Sequence, residues 1–183
     1  STGKIKLGTG FAFSGNKVVP SSSAYVATVN GVGYTTLQDA YDAATGGDTI
    51  VVLEKTDSAA DYSLSGAINK NVNFQLGSNG LGALTINNAT VGISGSKVAS
   101  ISVSNGSLTL NGTNVTGAVT LDKSTLNMAS GTIGSLSSTN GSKLYVSGGR
   151  VNSFSGSGDM TRAITGGVWT VGSGAMSYFE GSI

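Results

Sequence analysis

The side chains able to move a proton or neutralise a charge are few in this chain. It has no His and no Cys, and Asp, Glu, Lys and Arg together make up 10% of its 183 residues. From Asn105 to Gly167 they are Asp122, Lys123, Lys143, Arg150, Asp159 and Arg162. Cleaving a polysaccharide would need a base, an acid and a charge neutraliser converging within hydrogen-bond reach. These residues meet that need only if neighbouring segments stack them on one face. Asp122 and Lys123 are sequence neighbours, as at a solvated turn, and Asp159 with Arg162 suits a local ion pair. No catalytic residue is assigned, and the chain is expected not to be an enzyme.

Metal and cofactor chemistry is equally thin. Asp39 and Asp42 are three positions apart on a predicted helix, and Asp57 and Asp61 bracket a loop. Calcium requires about six or more oxygens from a defined loop, a spacing these residues do not provide. Asp48 is expected to bond backbone N–H groups at a turn into a strand. Gly148-Gly149 and Gly166-Gly167 form no phosphate loop, because no helix follows to receive the anion. The expectation is no metal and no cofactor.

One aromatic residue is a binding candidate. Tyr145 lies between Leu144 and Val146, so it points outward if they point inward, and an exposed Tyr can stack on a sugar ring. It is also readable as plain surface, since one aromatic makes no platform. Its outward companions, Thr109, Asn127 and Ala163, are mixed, whereas an ice- or crystal-binding face would need a regular array.

The elements that position these residues come from a repeat. The frames beginning at Leu110, Met128, Val146 and Ile164 are evenly spaced. Before Leu110 the interval is one position shorter, and two such intervals lead to Ile93 and then Leu76. Two positions before each frame stand Phe74, Val91, Leu108, Leu126, Leu144 and, breaking the pattern, Arg162. Leu108-Thr109-Leu110 thus alternates in, out, in, as a half-buried strand does. A second apolar set follows each frame: Leu84 and Ile86, Ile101 and Val103, Val119 and Leu121, then Leu136 and Phe154 alone. Turn residues such as Asn105-Gly106, Asp122-Lys123-Ser124 and Asn140-Gly141 separate the rungs.

Such a rung, two or three very short strands with corners, buries its apolar row only by stacking on identical neighbours. The expected fold is all-β, a single-stranded parallel β-helix (solenoid). Its core would be a column of Leu, Ile, Val, Met and Phe, with Ser, Thr, Asn and Gly at corners and outer faces. The 29 Gly and single Pro agree with close rung packing.

Before the repeat, residues 1–23 are read as N-terminal strands and a linker, and 24–183 as the capped β-helix. Lys4 to Val19 suggests one or two strands, and Pro20-Ser21-Ser22-Ser23 a break. Asn30-Gly31 between alternating runs predicts a hairpin. Leu37, Ala40, Tyr41 and Ala44 mark one face of a helix that Thr35 or Thr36 would cap and Gly46-Gly47 would end. Laid across the first rung, it would cover the open core and the unpaired strand edge. Trp169, Met176, Tyr178 and Phe179 would plug the other end.

The stretch Tyr34-Thr35-Thr36-Leu37-Gln38-Asp39-Ala40 through Gly46-Gly47-Asp48-Thr49-Ile50-Val51-Val52-Leu53 resembles the opening of right-handed parallel β-helix modules of large bacterial cell-surface, adhesin-like proteins. Ile164-Thr165-Gly166-Gly167-Val168-Trp169 with Ser177-Tyr178-Phe179-Glu180-Gly181 is similar to their closing segment. It departs from that segment in having Trp169 where Phe is usual and no Asp-Pro-Ser before Tyr178. The resemblance implies right-handedness and a non-catalytic structural or adhesive module, extracellular or on the cell surface, facing a host or cell-wall glycan or protein. Polysaccharide lyases and pectinases share the scaffold, so a carbohydrate-binding or carbohydrate-active β-helix is the alternative, with a phage fibre part as a third.

A formal net charge of +1 with scattered Lys and Arg offers no footprint for nucleic acid. No run reaches the roughly 18 apolar residues of a membrane span, so no membrane insertion is expected. Ser1-Thr2-Gly3 lacks an initiator Met and reads as a cloning scar or a mature start, which would put any export signal or anchor outside this stretch.

Overall fold

The computed structural model describes residues 11–14, 17–20, 25–53, 62–78, 80–157 and 161–171. Alternating apolar residues give strands with one face to bury, and successive segments bury it by lying on one another. The result is a parallel β-solenoid of about 5 turns. Each rung contributes a short strand to one sheet and, for most of the stack, a longer strand to a second sheet. The short strands are β6 (Val72–Leu76), β8 (Thr90–Ser94), β10 (Ser107–Asn111), β12 (Thr125–Met128), β14 (Lys143–Val146) and β16 (Thr161–Ile164). Between them run β7 (Leu81–Asn87), β9 (Lys97–Ser104), β11 (Thr113–Asp122), β13 (Gly131–Thr139), β15 (Arg150–Gly156) and β17 (Val168–Val171). All neighbours within these two sets pair in parallel.

Leu110, Met128 and Val146 form the expected file, in register with Ile93 before and Ile164 after. A parallel file runs Val91, Leu108, Leu126 and Leu144, and Arg162 falls in register with its last member. From the opposite sheet come the files Leu81, Val98, Val115, Ile133, Val151 and Leu84, Ile101, Val119, Leu136, Phe154. Up to Val146 and Phe154 every member of these files is buried, and Ile164 is half-buried, so one core is lined by several columns rather than one.

The earliest rung corrects the sequence alignment. Val91 and Ile93 lie opposite Val72 and Phe74, and not opposite Phe74 and Leu76 as the repeat frames would have it. On the second sheet the spacing of the frames is restored, with Leu81 opposite Val98. The corner between β6 and β7 therefore holds two extra residues. A slip of two leaves every side chain on its own face, so Leu76 is still buried. The second sheet also corrects the expectation of very short strands: β11 spans 10 residues. It bends at a register shift between Val115 and Val119, where it carries one residue more than β9 or β13.

Small polar residues are not confined to corners and outer faces. Thr113, Ser124, Ser138 and Ser142 are buried. Ser124 Oγ accepts from Gly106 N (3.2 Å) and donates to Asp122 O (2.6 Å), while Ser142 Oγ accepts from Ser124 N (3.1 Å) and donates to Thr139 O (2.6 Å). Such Ser residues tie each corner to the next. Ser138 continues the file Ile86, Val103, Leu121 and ends it against Gly156, its hydroxyl without a partner among the described residues. The apolar part of this file thus ends at Leu121.

The N-terminal end is closed by several pieces. β3 (Ala27–Val29) and β4 (Val32–Tyr34) form the hairpin that Asn30-Gly31 predicts, both turn residues at positive φ (51° and 80°). β3 pairs antiparallel with β5 (Thr49–Val52), and β5 pairs in parallel with β6, so the hairpin extends the short-strand sheet. Helix α1 (Leu37–Ala43) sits on these strands through Leu37, Ala40 and Tyr41. Thr36 is its N-cap, its Oγ accepting from Asp39 N at 3.0 Å. Its end is not made by Gly46-Gly47: the C-cap is Ala44 in an extended conformation, with Gly47 at positive φ in the following turn. Ile68 bridges to Ile86 and covers the exposed edge of β7.

In the segment expected to hold one or two strands, β1 (Phe11–Ser14) and β2 (Lys17–Pro20) form an antiparallel pair. The linker residues Ser21 to Ser23, the Asp57–Asp61 loop, Asp159, the side chain of Arg162, and the plug residues Met176, Tyr178 and Phe179 lie outside the described residues. So do Ser177, Glu180 and Gly181 of the closing segment.

Candidate functional site

Parallel stacking decides which outward side chains become neighbours, since each residue meets the one in register on the rung above and below. The ionisable residues are kept apart. Asp122 lies between Ser104 and Thr139, Lys143 between Thr125 and Thr161, and Arg150 between Thr132 and Val168. None of the three is stacked on another charge. Asp122 accepts from Asn140 Nδ2 (2.6 Å) at its corner, and Lys123 takes a left-handed conformation there (φ 47°), in the same file of corners as Asn88, Asn105 and Asn140. Among the described residues no three His, Cys, Asp or Glu side chains gather as a metal site would require. Asp39 accepts from Thr36 Oγ1 and Asp42 from Gln38 Nε2, both at 2.8 Å. No helix among the described residues is long and apolar enough to cross a membrane.

Asp48 bonds a backbone N–H at the turn into β5. Its carboxylate accepts from Thr45 N (2.8 Å), Thr45 Oγ1 (2.9 Å) and Asn30 Nδ2 (3.2 Å), tying the hairpin turn to the first rung. The Thr45 backbone N–H above all, then the Thr45 hydroxyl and the Asn30 amide, hold its pKa below the usual 3.8 against a small opposing effect of burial. A carboxyl with a lowered folded pKa contributes stability above its unfolded pKa and loses it as pH falls through the folded value. Asp48→Asn should therefore lower the urea midpoint at about pH 7 and flatten the acid decline, the difference between wild type and variant shrinking as pH falls below the usual carboxylate range. Parallel urea midpoint curves for the two proteins across this range would contradict the assignment.

Tyr145 is where it was expected. It points outward from β14, 39% exposed, and is the only aromatic among the exposed large apolar side chains of the described residues. The register confirms its file: Thr109, Asn127, Tyr145, Ala163. The sequence did not show what lies beside it. A second outward set, Asn111, Ala129, Ser147 and Thr165, stands two positions further along the chain, and the two sets wall an open trough of about 400 Å³. The strand segments at Leu110, Met128 and Val146 form the floor. No residue of the lining is ionisable apart from the phenol of Tyr145. The trough crosses four rungs, on the order of 14 Å along the solenoid axis.

The second sheet carries a regular outward file that sequence reading missed: Thr85, Ser102, Thr120, Ser137 and Ser155. Its signal was present, since each follows a residue of the second apolar set by one position. Trp169 continues the file of Val151 and meets Phe154 edge to face at 5.7 Å. Gly149 and Gly167 take positive φ at corners that lead into strands, not helices. No protein-family model, curated protein or solved structure matches the chain.

Proposed function

We propose that this chain is a non-catalytic, rigid module of a bacterial surface protein, extracellular, serving as a stalk or presenting face. The supporting observation is the continuous register of the core files from β6 to β14, with the ionisable residues Asp122, Lys143 and Arg150 each flanked along the axis by uncharged residues. Parallel pairing of every rung with its neighbours leaves few places where a protease can extract an extended segment, which suits exposure outside the cell. A lyase or hydrolase would need acids and bases converging on one groove.

The test has two arms on the purified protein. Incubated with neutral and acidic polysaccharides, it should generate no new reducing or unsaturated ends. Digested with proteinase K, it should leave a fragment spanning the stack from Val72 to Gly156. Sugar chain cleavage that copurifies with the protein, or digestion as fast as that of the urea-unfolded chain, would end the proposal.

A further inference from the structure

The trough beside Tyr145 has a chemistry that a plain spacer does not require, and its occupant can be deduced from what the walls and floor leave available. The floor offers no free backbone hydrogen bonds across its strands, because β10, β12 and β14 are paired on both sides by their neighbouring rungs. An extended peptide, which binds sheets through backbone groups at a free edge, gains nothing there. Recognition falls to side chains alone. Among the described residues, the side chains of Thr109, Asn127 and Tyr145 make no hydrogen bond to the protein, so a hydroxyl, an amide and a phenol remain uncommitted. They stand in register on successive rungs.

We infer that this trough binds a neutral oligosaccharide lying along the solenoid axis. The Tyr145 ring offers an apolar surface to the C–H face of a pyranose, and Asn127 and Thr109 offer donors and acceptors to its hydroxyls. The lining carries no cation, which selects against uronates, whose carboxylates would lose hydration without gaining a partner. The inference goes beyond the module reading, which stands without a ligand.

The test is an NMR titration of the ¹⁵N-labelled full chain with cellohexaose, chitohexaose, laminarihexaose, mannohexaose and xylohexaose, with hexagalacturonate as the charged counterpart. At least one neutral hexasaccharide should saturably shift the amides of Asn127, Met128, Tyr145 and Val146. Tyr145→Ala should weaken that binding by about tenfold, its spectrum elsewhere unchanged. Tyr145→Phe should stay within about threefold, because the ring supplies the contact. Thr85→Ala, on the other sheet, should bind as wild type does. No saturable shift with any neutral sugar, binding of hexagalacturonate alone, or undiminished binding by Tyr145→Ala would each overturn the inference. None of these outcomes would touch the protease and polysaccharide arms above.

Discussion

Gly131→Ala should cost roughly 3–5 kcal/mol, a large part of the stability of a domain this size. Gly131 starts β13 at φ +105°, in register with Thr113. A Cβ there would fall on the carbonyl oxygen of Thr113 and stand 2.9 Å from its carbonyl carbon and from its nitrogen. Backbone atoms held by a parallel ladder cannot step aside as the tip of a long side chain can, so either the ladder opens or the rungs part. Gly112 is the internal control. Its φ is also positive (+73°), but a Cβ would meet only Ser130 Oγ, at 4.0 Å. Gly112→Ala should thus cost about 1–2 kcal/mol, the left-handed strain alone. Urea midpoints of the two variants separate strain from collision. Equal losses would show that rung spacing at Gly131 is looser than described; if Gly131→Ala does not accumulate folded while Gly112→Ala does, the ordering stands.

Lys70→Met should lower stability by about 2 kcal/mol and release the N-terminal helix first. A seven-residue helix is too short to persist by its own hydrogen bonding. It ends without basic residues in its last turn, and the cation comes from outside: Lys70 Nζ donates to Tyr41 O (2.6 Å), Asp42 O (3.0 Å) and Ala44 O (2.9 Å). It also lies 4.6 Å from the centre of the Tyr41 ring. Tyr41 is held in turn by Asn69, whose backbone N–H donates to the phenol oxygen at 2.9 Å. Methionine keeps the length of the side chain but leaves the three carbonyls to water. Hydrogen exchange should quicken at Ala40, Tyr41 and Ala44 more than at Leu110 or Met128, and Lys70→Arg should recover part of the loss. Uniform quickening along the chain would mean that the cap and the stack unfold as one unit.

The cap shows how far local sequence reading reaches. Thr35-Thr36 and the spacing of Leu37, Ala40, Tyr41 and Ala44 foretold to within a residue where the helix begins and which side is buried, because both follow from residues within two turns of one another. Its end did not follow from the glycines at 46 and 47. Lys70 supplies the terminal partners from the start of the first full rung, at a distance in sequence that no cap pattern covers.

The site divides similarly. Outward exposure of Tyr145 was legible because Leu144 and Val146 flank it and a strand alternates. The trough was not, because it depends on Ala129 being small and on Asn111, Ser147 and Thr165 standing as a second wall, which only register brings together.

By itself the sequence determined the stacked solenoid: period-two apolar pairs recurring at a near-constant short interval have no other way to bury one face and pair their backbones. Only the tertiary structure decided the register of the first rung, where Phe74 rather than Leu76 lies opposite Ile93. The reason is that a two-residue slip leaves inward residues inward, so hydrophobic alternation cannot distinguish the two alignments, and the choice falls to the length of the corner and the backbone ladder.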